Sequence, residues 1–281
     1  MKPVAKAGHA VELQDRAPGH ALIHALLTDS AMQRSRGWPA RIFGASPLSK
    51  RGSDSFRGAL GEFAVGRMLS RLDSRWFVMH AVPVGRRGAD IDHLVVGPAG
   101  VFTVNTKNHS GQKVWVAGQN LLVAGVRCNH IRNSEFEAGR AVKLLSKAIG
   151  RPVSVRPVIA VLKPQRLVIK SPPSGVDVLQ AQGLVRWLRK RPTVLGAEEV
   201  ARIVSVLGLP ATWDQVADES EDLDRHQEFE ALRASIRFAK SLRRLWVFVL
   251  GAMVVIAAVM AAPEILRLTT DFVTNLVQPS A

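Results

Sequence analysis

The chain of 281 residues has no tyrosine, a single cysteine and only 6% aromatic residues. A lone Cys128 excludes a disulfide-stapled secreted scaffold and agrees with a reducing, intracellular setting. As a nucleophile it has no evident activating partner, so a small strand residue is its expected role. Few aromatics, and no Tyr, argue against a platform on which nucleic-acid bases would stack. Before residue 40 no charged segment leads into a long apolar stretch, so no cleavable signal is expected. Acid is also scarce, with 23 Asp+Glu against 38 Lys+Arg and a net charge of +15. Residues 56–210 alone hold 23 bases and 9 acids, a surplus of +14. Such a surplus suits polyanions, either nucleic acid or the anionic inner face of a membrane, and charge alone does not choose between them.

Apolar residues, in contrast, are abundant, at 47% with a mean hydropathy of +0.09. Much of the excess sits in residues 245–262, which carry no charge. A run of that length matches the roughly 30 Å hydrocarbon core that about 20 helical residues span, and it lacks the polar face of an ordinary core helix. A transmembrane helix is therefore expected over residues 245–263. Arg233, Arg237, Lys240, Arg243 and Arg244 precede it and only Arg267 follows closely. Bases stay on the cytoplasmic side, so the large N-terminal part should face the cytoplasm in a single-pass arrangement in the cytoplasmic membrane. Residues 214–230 hold eight acids and one base, and residues 231–244 hold five bases and no acid. They read as a juxtamembrane linker, 214–244, whose basic half, Arg233 to Arg244, touches anionic lipid. Residues 264–281 would form a short extracytoplasmic tail.

Residues 1–54 mix Gly, Pro, Ser and Arg with one apolar stretch at 21–27, which predicts a mobile arm that can carry one short helix. From 56 to 72 apolar residues recur at helical spacing. Strands are expected at 76–82, 90–96, 101–107, 113–116 and 121–126, set off by Gly-, Pro- and Asn-containing turns. A helix at 133–149 would open on a capping box from Ser134 to Glu137 and stop at Gly150. A strand at 155–162, a hairpin up to 179 and helices at 181–190 and 197–207 would complete a domain of residues 55–213.

The informative stretch runs from Gly88 to Lys107, because two alternating strands are joined there by the turn Gly97-Pro98-Ala99-Gly100. If Val96 and Val101 close the turn, Asp92 lies across from Asn105 and Asp90 across from Lys107. Period two then puts Asp90, Asp92, Asn105 and Lys107 on one face with the apolar Leu94, Val96 and Val101. Opposed Cβ atoms stand about 5 Å apart, so two carboxylates, an amide and an ammonium share a small volume. That inventory suits a hard divalent cation such as Mg²⁺, with the lysine beside it to orient water or offset charge on phosphorus. A surface Asp–Lys pair is the plain alternative, but these charges share a face with core residues. Glu62, stacked with Val65, Gly66 and Leu69 on the preceding helix, should face the same sheet, with Gly58 and Gly61 allowing close approach.

Through Gly58-x-x-Gly61-Glu62, the Asp90-Ile-Asp92-His-Leu-Val-Val-Gly-Pro-Ala-Gly100 hairpin and Asn105-x-Lys107 followed by Gly111, the chain resembles the NERD family, the nuclease-related domain, over about residues 55–170. That family is similar to the PD-(D/E)xK nucleases. The resemblance implies an α/β fold with a mixed central β-sheet flanked by helices, restriction-endonuclease-like, to which the C-terminal transmembrane helix is added. It also implies phosphodiester hydrolysis with Mg²⁺ or Mn²⁺. By position Glu62 would be the helical acid, Asp92 the metal-binding aspartate and Lys107 the catalytic lysine, with Asp90 a neighbour. Asn105 departs from the pattern, which expects an acid. An amide oxygen can ligate Mg²⁺ but brings no charge, which weakens metal binding and leaves a bound water less acidic. Two functions therefore stay open: a membrane-tethered nuclease acting on nucleic acid, DNA more than RNA, or a catalytically silent descendant serving as a binding or scaffold module at the membrane.

Other candidates carry less chemistry. Arg86, Arg87, Lys113, Arg127 and Arg132 surround the hairpin and could form a phosphate-binding rim, although scattered solvated bases are common. His93 alternates to the face opposite Asp92 and reads as a packed histidine. His109 and His130 read as loop residues without metal-spaced partners.

Overall fold

The structure, a computed structural model, describes residues 13–84, 90–213 and 222–277. In chain order its helices and strands are α1 (His20–Thr28), α2 (Trp38–Ile42), α3 (Lys50–Leu69), β1 (Phe77–Pro83), β2 (Asp90–Gly97), β3 (Gly100–Asn108), β4 (Lys113–Ala117), β5 (Asn120–Val123) and β6 (Val126–Cys128). They continue with α4 (His130–Ile149), β7 (Val155–Leu162), β8 (Arg166–Ser171), β9 (Asp177–Gln180), α5 (Leu184–Arg189), α6 (Ala197–Leu207) and α7 (Asp222–Val277). The chain divides into two compact units. One takes in Lys50–Phe229 and the described chain up to Met32; the other takes in Gln33–Ser49 and the chain from Glu230 onward.

The first unit is built on a mixed five-stranded sheet of order β1-β2-β3-β7-β9, in which β1, β2 and β3 run antiparallel and β7 and β9 add in parallel. This is the mixed, helix-flanked sheet expected of the chain. Its strands are rich in Val, Ile and Phe, which fit a pleated and buried surface. Alternation along β2 and β3 feeds two cores. Leu94, Val96 and Val101 pack with Ala138, Ala141, Leu144 and Leu145 of α4, whereas Val95, Phe102 and Val104 pack with Val65 and Leu69 of α3. The two helices thus cover opposite faces of the sheet. A second sheet, β6-β5-β4-β8, encloses a smaller core around Val114, Val116 and Leu121.

Several expected elements change. The strand expected at 121–126 is two, because Ala124 and Gly125 take φ of 48° and 84° and turn the chain back on itself. The hairpin expected up to 179 does not form: β8 pairs in parallel with β4 and β9 in parallel with β7, so the two strands enter different sheets. Helix α4 starts at His130 rather than 133, which puts Ser134 and Glu137 inside it, and no capping box exists. The segment expected to be an arm contains α1 and α2, with Ile23 and Leu26 of α1 buried, since its apolar stretch packs against α3 instead of standing alone.

The second unit joins α2 to the helix that carries the long apolar run. The Phe43 ring lies 5.0 Å from that of Trp246, and the Trp246 indole N–H donates to the Ile42 carbonyl at 2.9 Å. Gly44, at φ +70°, lets the backbone through: a Cβ there would stand 2.4 Å from the Ala239 carbonyl oxygen. Helix α7 is long and apolar enough to cross a membrane, and none of its most apolar 18-residue window is buried. It runs on through Pro263 instead of ending there.

Candidate active site

The hairpin register agrees with the expected one where the ladder is intact, from Gly97↔Gly100 back to His93↔Val104. Beyond that pair β2 and β3 are no longer paired, so the expected Asp92–Asn105 and Asp90–Lys107 oppositions are not ladder pairs. The reason is a local exchange of partners: the backbone N–H of Thr106 donates to the Asp92 carboxylate at 2.5 Å. The two strands part there, while β2 stays paired with β1 and β3 with β7, and their polar ends line a cleft.

That cleft, about 430 Å³, is lined by Glu62, Asp90, Asp92 and Lys107 together with Arg57, Thr106, Asn108 and His109. Four of the residues named from the sequence therefore meet at one opening. Glu62 arrives on α3 because Gly61 beside it lies against β3, where a Cβ would stand 3.2 Å from that of Asn108. Glu62 is 6% exposed, and its carboxylate accepts the Gly19 backbone N–H at 3.0 Å. Asn105 is buried behind the opening. Its amide Nδ2 donates to the Glu137 carboxylate of α4 at 2.6 Å, and its Oδ1 has no hydrogen-bond partner among the described residues.

Electrostatics follow from crowding acids in a partly dry place. Burial raises the pKa of Glu62 well above the usual carboxylate range, and repulsion from Asp92 and Asp90 adds to it. Asp90 is pushed up to about 6 by burial and by Asp92. Asp92 is raised by burial, while Lys107 and the Thr106 N–H oppose the rise. Glu137 is pushed up to about 7 by burial and then by Asp92, against Lys107 and the Asn105 amide. Four carboxylates thus share the field of one ammonium, and a further positive charge would relieve all of them.

The donors are oxygens, which suits Mg²⁺ or Mn²⁺ better than zinc. Among the described residues no three His, Cys, Asp or Glu side chains stand close enough to form a ready metal cage. Mg²⁺ does not need one, since one or two carboxylates with water and substrate oxygens complete its shell. Residues able to contribute are Asp92, Glu62, Asp90 and the Asn105 oxygen.

The expected phosphate rim is placed differently. Lys113, Arg127 and Arg132 are exposed, the first two on the four-stranded sheet, and none lines the cleft; Arg86 and Arg87 lie outside the described residues. Among the described residues the base that lines it with Lys107 is Arg57, which is ion-paired with Asp54 at the same opening; it lies one turn before Gly61 on α3 and was missed from the sequence because its helix was expected to matter only through Glu62. Glu137 was missed because its spacing from Ser134 matched a helix cap. His93 is buried and bonded through its ring nitrogens to His80 at 2.8 Å and Thr106 at 3.2 Å, so it supports the strand that holds Asp92. His109 and His130 do find a partner, each other, at 3.1 Å between Nε2 atoms. A larger cleft, about 550 Å³, lies elsewhere on the unit, but its bases Arg151, Arg156 and Arg191 are ion-paired with Glu199 and Asp177.

Residues 57–162 match the family NERD, nuclease-related domain. An uncharacterized protein of Bacillus anthracis is 43% identical over 67 residues, which are 22% of this chain and 30% of that protein. The chain therefore spans under a third of the length of the curated relative it matches. No solved structure is significantly similar to it.

Proposed function

Because residues 57–162 match the nuclease-related domain family, we propose that the protein is a membrane-tethered nuclease that binds nucleic acid and hydrolyses its phosphodiester bonds with Mg²⁺ or Mn²⁺. The observation that carries this reading is Lys107 standing with Glu62, Asp90 and Asp92 in one cleft. A metal held there would supply the positive charge that polarises a phosphoryl oxygen and acidifies a water. Asp92 and Asn105 would hold it from the strands and Glu62 from α3. Lys107 would orient the attacking water and offset charge on the phosphoryl oxygens, and Arg57 at the mouth would bind a flanking phosphate. The charge surplus of the domain supports a polyanionic substrate, nucleic acid, with DNA favoured over RNA by the nuclease resemblance.

The basic residues before the apolar run of α7 support a domain facing the cytoplasm, with the helix in the cytoplasmic membrane and Arg233 to Arg244 at anionic lipid. The test is incubation of the detergent-solubilised full chain with supercoiled, linear and single-stranded DNA and with RNA, in Mg²⁺ or Mn²⁺. Cleavage should fall at least 100-fold in Lys107→Ala and Asp92→Ala. A wild type that cuts nothing, or variants that cut equally well, would leave a binding module and not an enzyme.

A further inference from the structure

In the motif position where an acid is expected, β3 carries Asn105, a neutral group. Two contacts around it are not those of a filler residue. The Asn105 amide is 2% exposed, and its Nδ2 donates to a Glu137 carboxylate oxygen at 2.6 Å. In the structure the amide nitrogen is the end that faces Glu137, the orientation that an ionised carboxylate, which only accepts, requires. The other end, Oδ1, is buried and has no hydrogen-bond partner among the described residues. A buried acceptor left without a partner costs on the order of 1–3 kcal/mol, which a cation would recover. By alternation along β3, Asn105 shares its face with Lys107, at the end of the strand where β2 has separated.

We propose that Asn105 and Glu137 together replace the single acid of the motif: Oδ1 of Asn105 is the metal ligand, and Glu137 both orients it and supplies the missing negative charge from the opposite helix. This rests on the metal-dependent reading above and deepens it. Helix α4 puts Glu137 there because it begins at His130, which turns Glu137 into a residue of the second turn facing the sheet. The arrangement separates two properties that one carboxylate normally combines, the coordinating oxygen and the charge. Asn105 is a ligating residue in this scheme, and Glu137 acts through it as a positioning residue.

The experiment measures Mn²⁺ binding to the full chain in detergent micelles, by the free-ion electron paramagnetic resonance signal and by the metal-induced rise in Tm, without any substrate. Glu137→Gln should weaken Mn²⁺ binding about tenfold or more, the range found for residues that orient metal ligands. Its metal-free Tm should not fall, because Gln keeps an acceptor oxygen for the Asn105 Nδ2 and removes a carboxyl whose charged form burial penalises, so weaker Mn²⁺ binding at an unchanged Tm would not come from lost packing. Placing the acid back on the strand, with Asn105→Asp in the Glu137→Gln background, should restore affinity to within about threefold of wild type. Asn105→Leu should lose binding as Glu137→Gln does, and it serves if Glu137→Gln fails to fold. If Glu137→Gln binds Mn²⁺ like wild type while Asp92→Asn does not, the Asn105–Glu137 pair is irrelevant and the metal site itself survives. If the folded wild type binds no Mn²⁺, both the pair and the metal-dependent function are overturned.

Discussion

Asp90 shows how much a single side chain in this cleft is shaped by its neighbours. Burial and Asp92 raise its carboxyl from the usual 3.8 to about 6, so the folded protein holds that proton over a range where the unfolded chain has lost it. A raised carboxylate stabilises the fold below the unfolded pKa, and this contribution disappears as pH rises through the folded pKa. In the metal-free protein Asp90→Asn should therefore match wild type near pH 4 and exceed it by about 1–2 kcal/mol at pH 7, after discounting for the partial exposure of the group. Urea unfolding at the two pH values, in the presence of a chelator, measures the difference; equal stability at pH 7 would mean the charge is already compensated. His80 acts with the opposite sign. Burial lowers it to about 4, so it destabilises the fold as pH falls from 6.5 towards 4. Comparing the Asn variant with wild type cancels that background.

At the scale of elements, the site exists because α3 comes close to β3 and because β2 and β3 part company. The first condition rests on Gly61, which faces Asn108, Thr106 and Leu162. Gly61→Leu should force the helix outward, lower stability by about 2 kcal/mol and displace Glu62, which circular dichroism melting and the loss of Mn²⁺ binding would both register. An unchanged melt would show that the helix has slack here. Strand alternation and the Gly-Pro turn made the hairpin and its register legible in the sequence as far as His93↔Val104. The parting of the strands was not legible, since it depends on a side-chain-to-backbone bond from Thr106 to Asp92. Nor was the route of β8 and β9 into separate sheets, because parallel pairing is a non-local choice that leaves little trace in a local pattern. The Ser134–Glu137 spacing was actively misleading: the same two residues satisfy a capping box and, with the helix started three residues earlier, an inward-facing pair.

For the whole molecule, the consequence is confinement. With α7 in a bilayer, the unit that carries the match to the nuclease-related domain would, on the proposed function, meet its substrate only at the membrane face. After alkaline carbonate washing the full chain should stay with the membrane pellet, whereas replacing Val254, Val255 and Ile256 with Arg should release it, since each Arg at mid-bilayer costs about 2.5–3.5 kcal/mol. Retention of the triple variant would mean that lipid contacts elsewhere hold the protein.

What the sequence by itself determined was whatever depends on composition and short periods: the apolar run of α7, the amphipathic α3, the hairpin and the residues Glu62, Asp90, Asp92 and Lys107. These follow from rules that act between near neighbours along the chain. Tertiary structure alone decided that the acids gather around one lysine, that Arg57 and not Lys113, Arg127 or Arg132 lines the cleft, and that Glu137 stands against Asn105. The last of these joins residues 32 positions apart on a helix and a strand. Only packing brings such positions together, so Glu137, the acid proposed to stand in for the one the motif lacks, could not be found by reading along the chain.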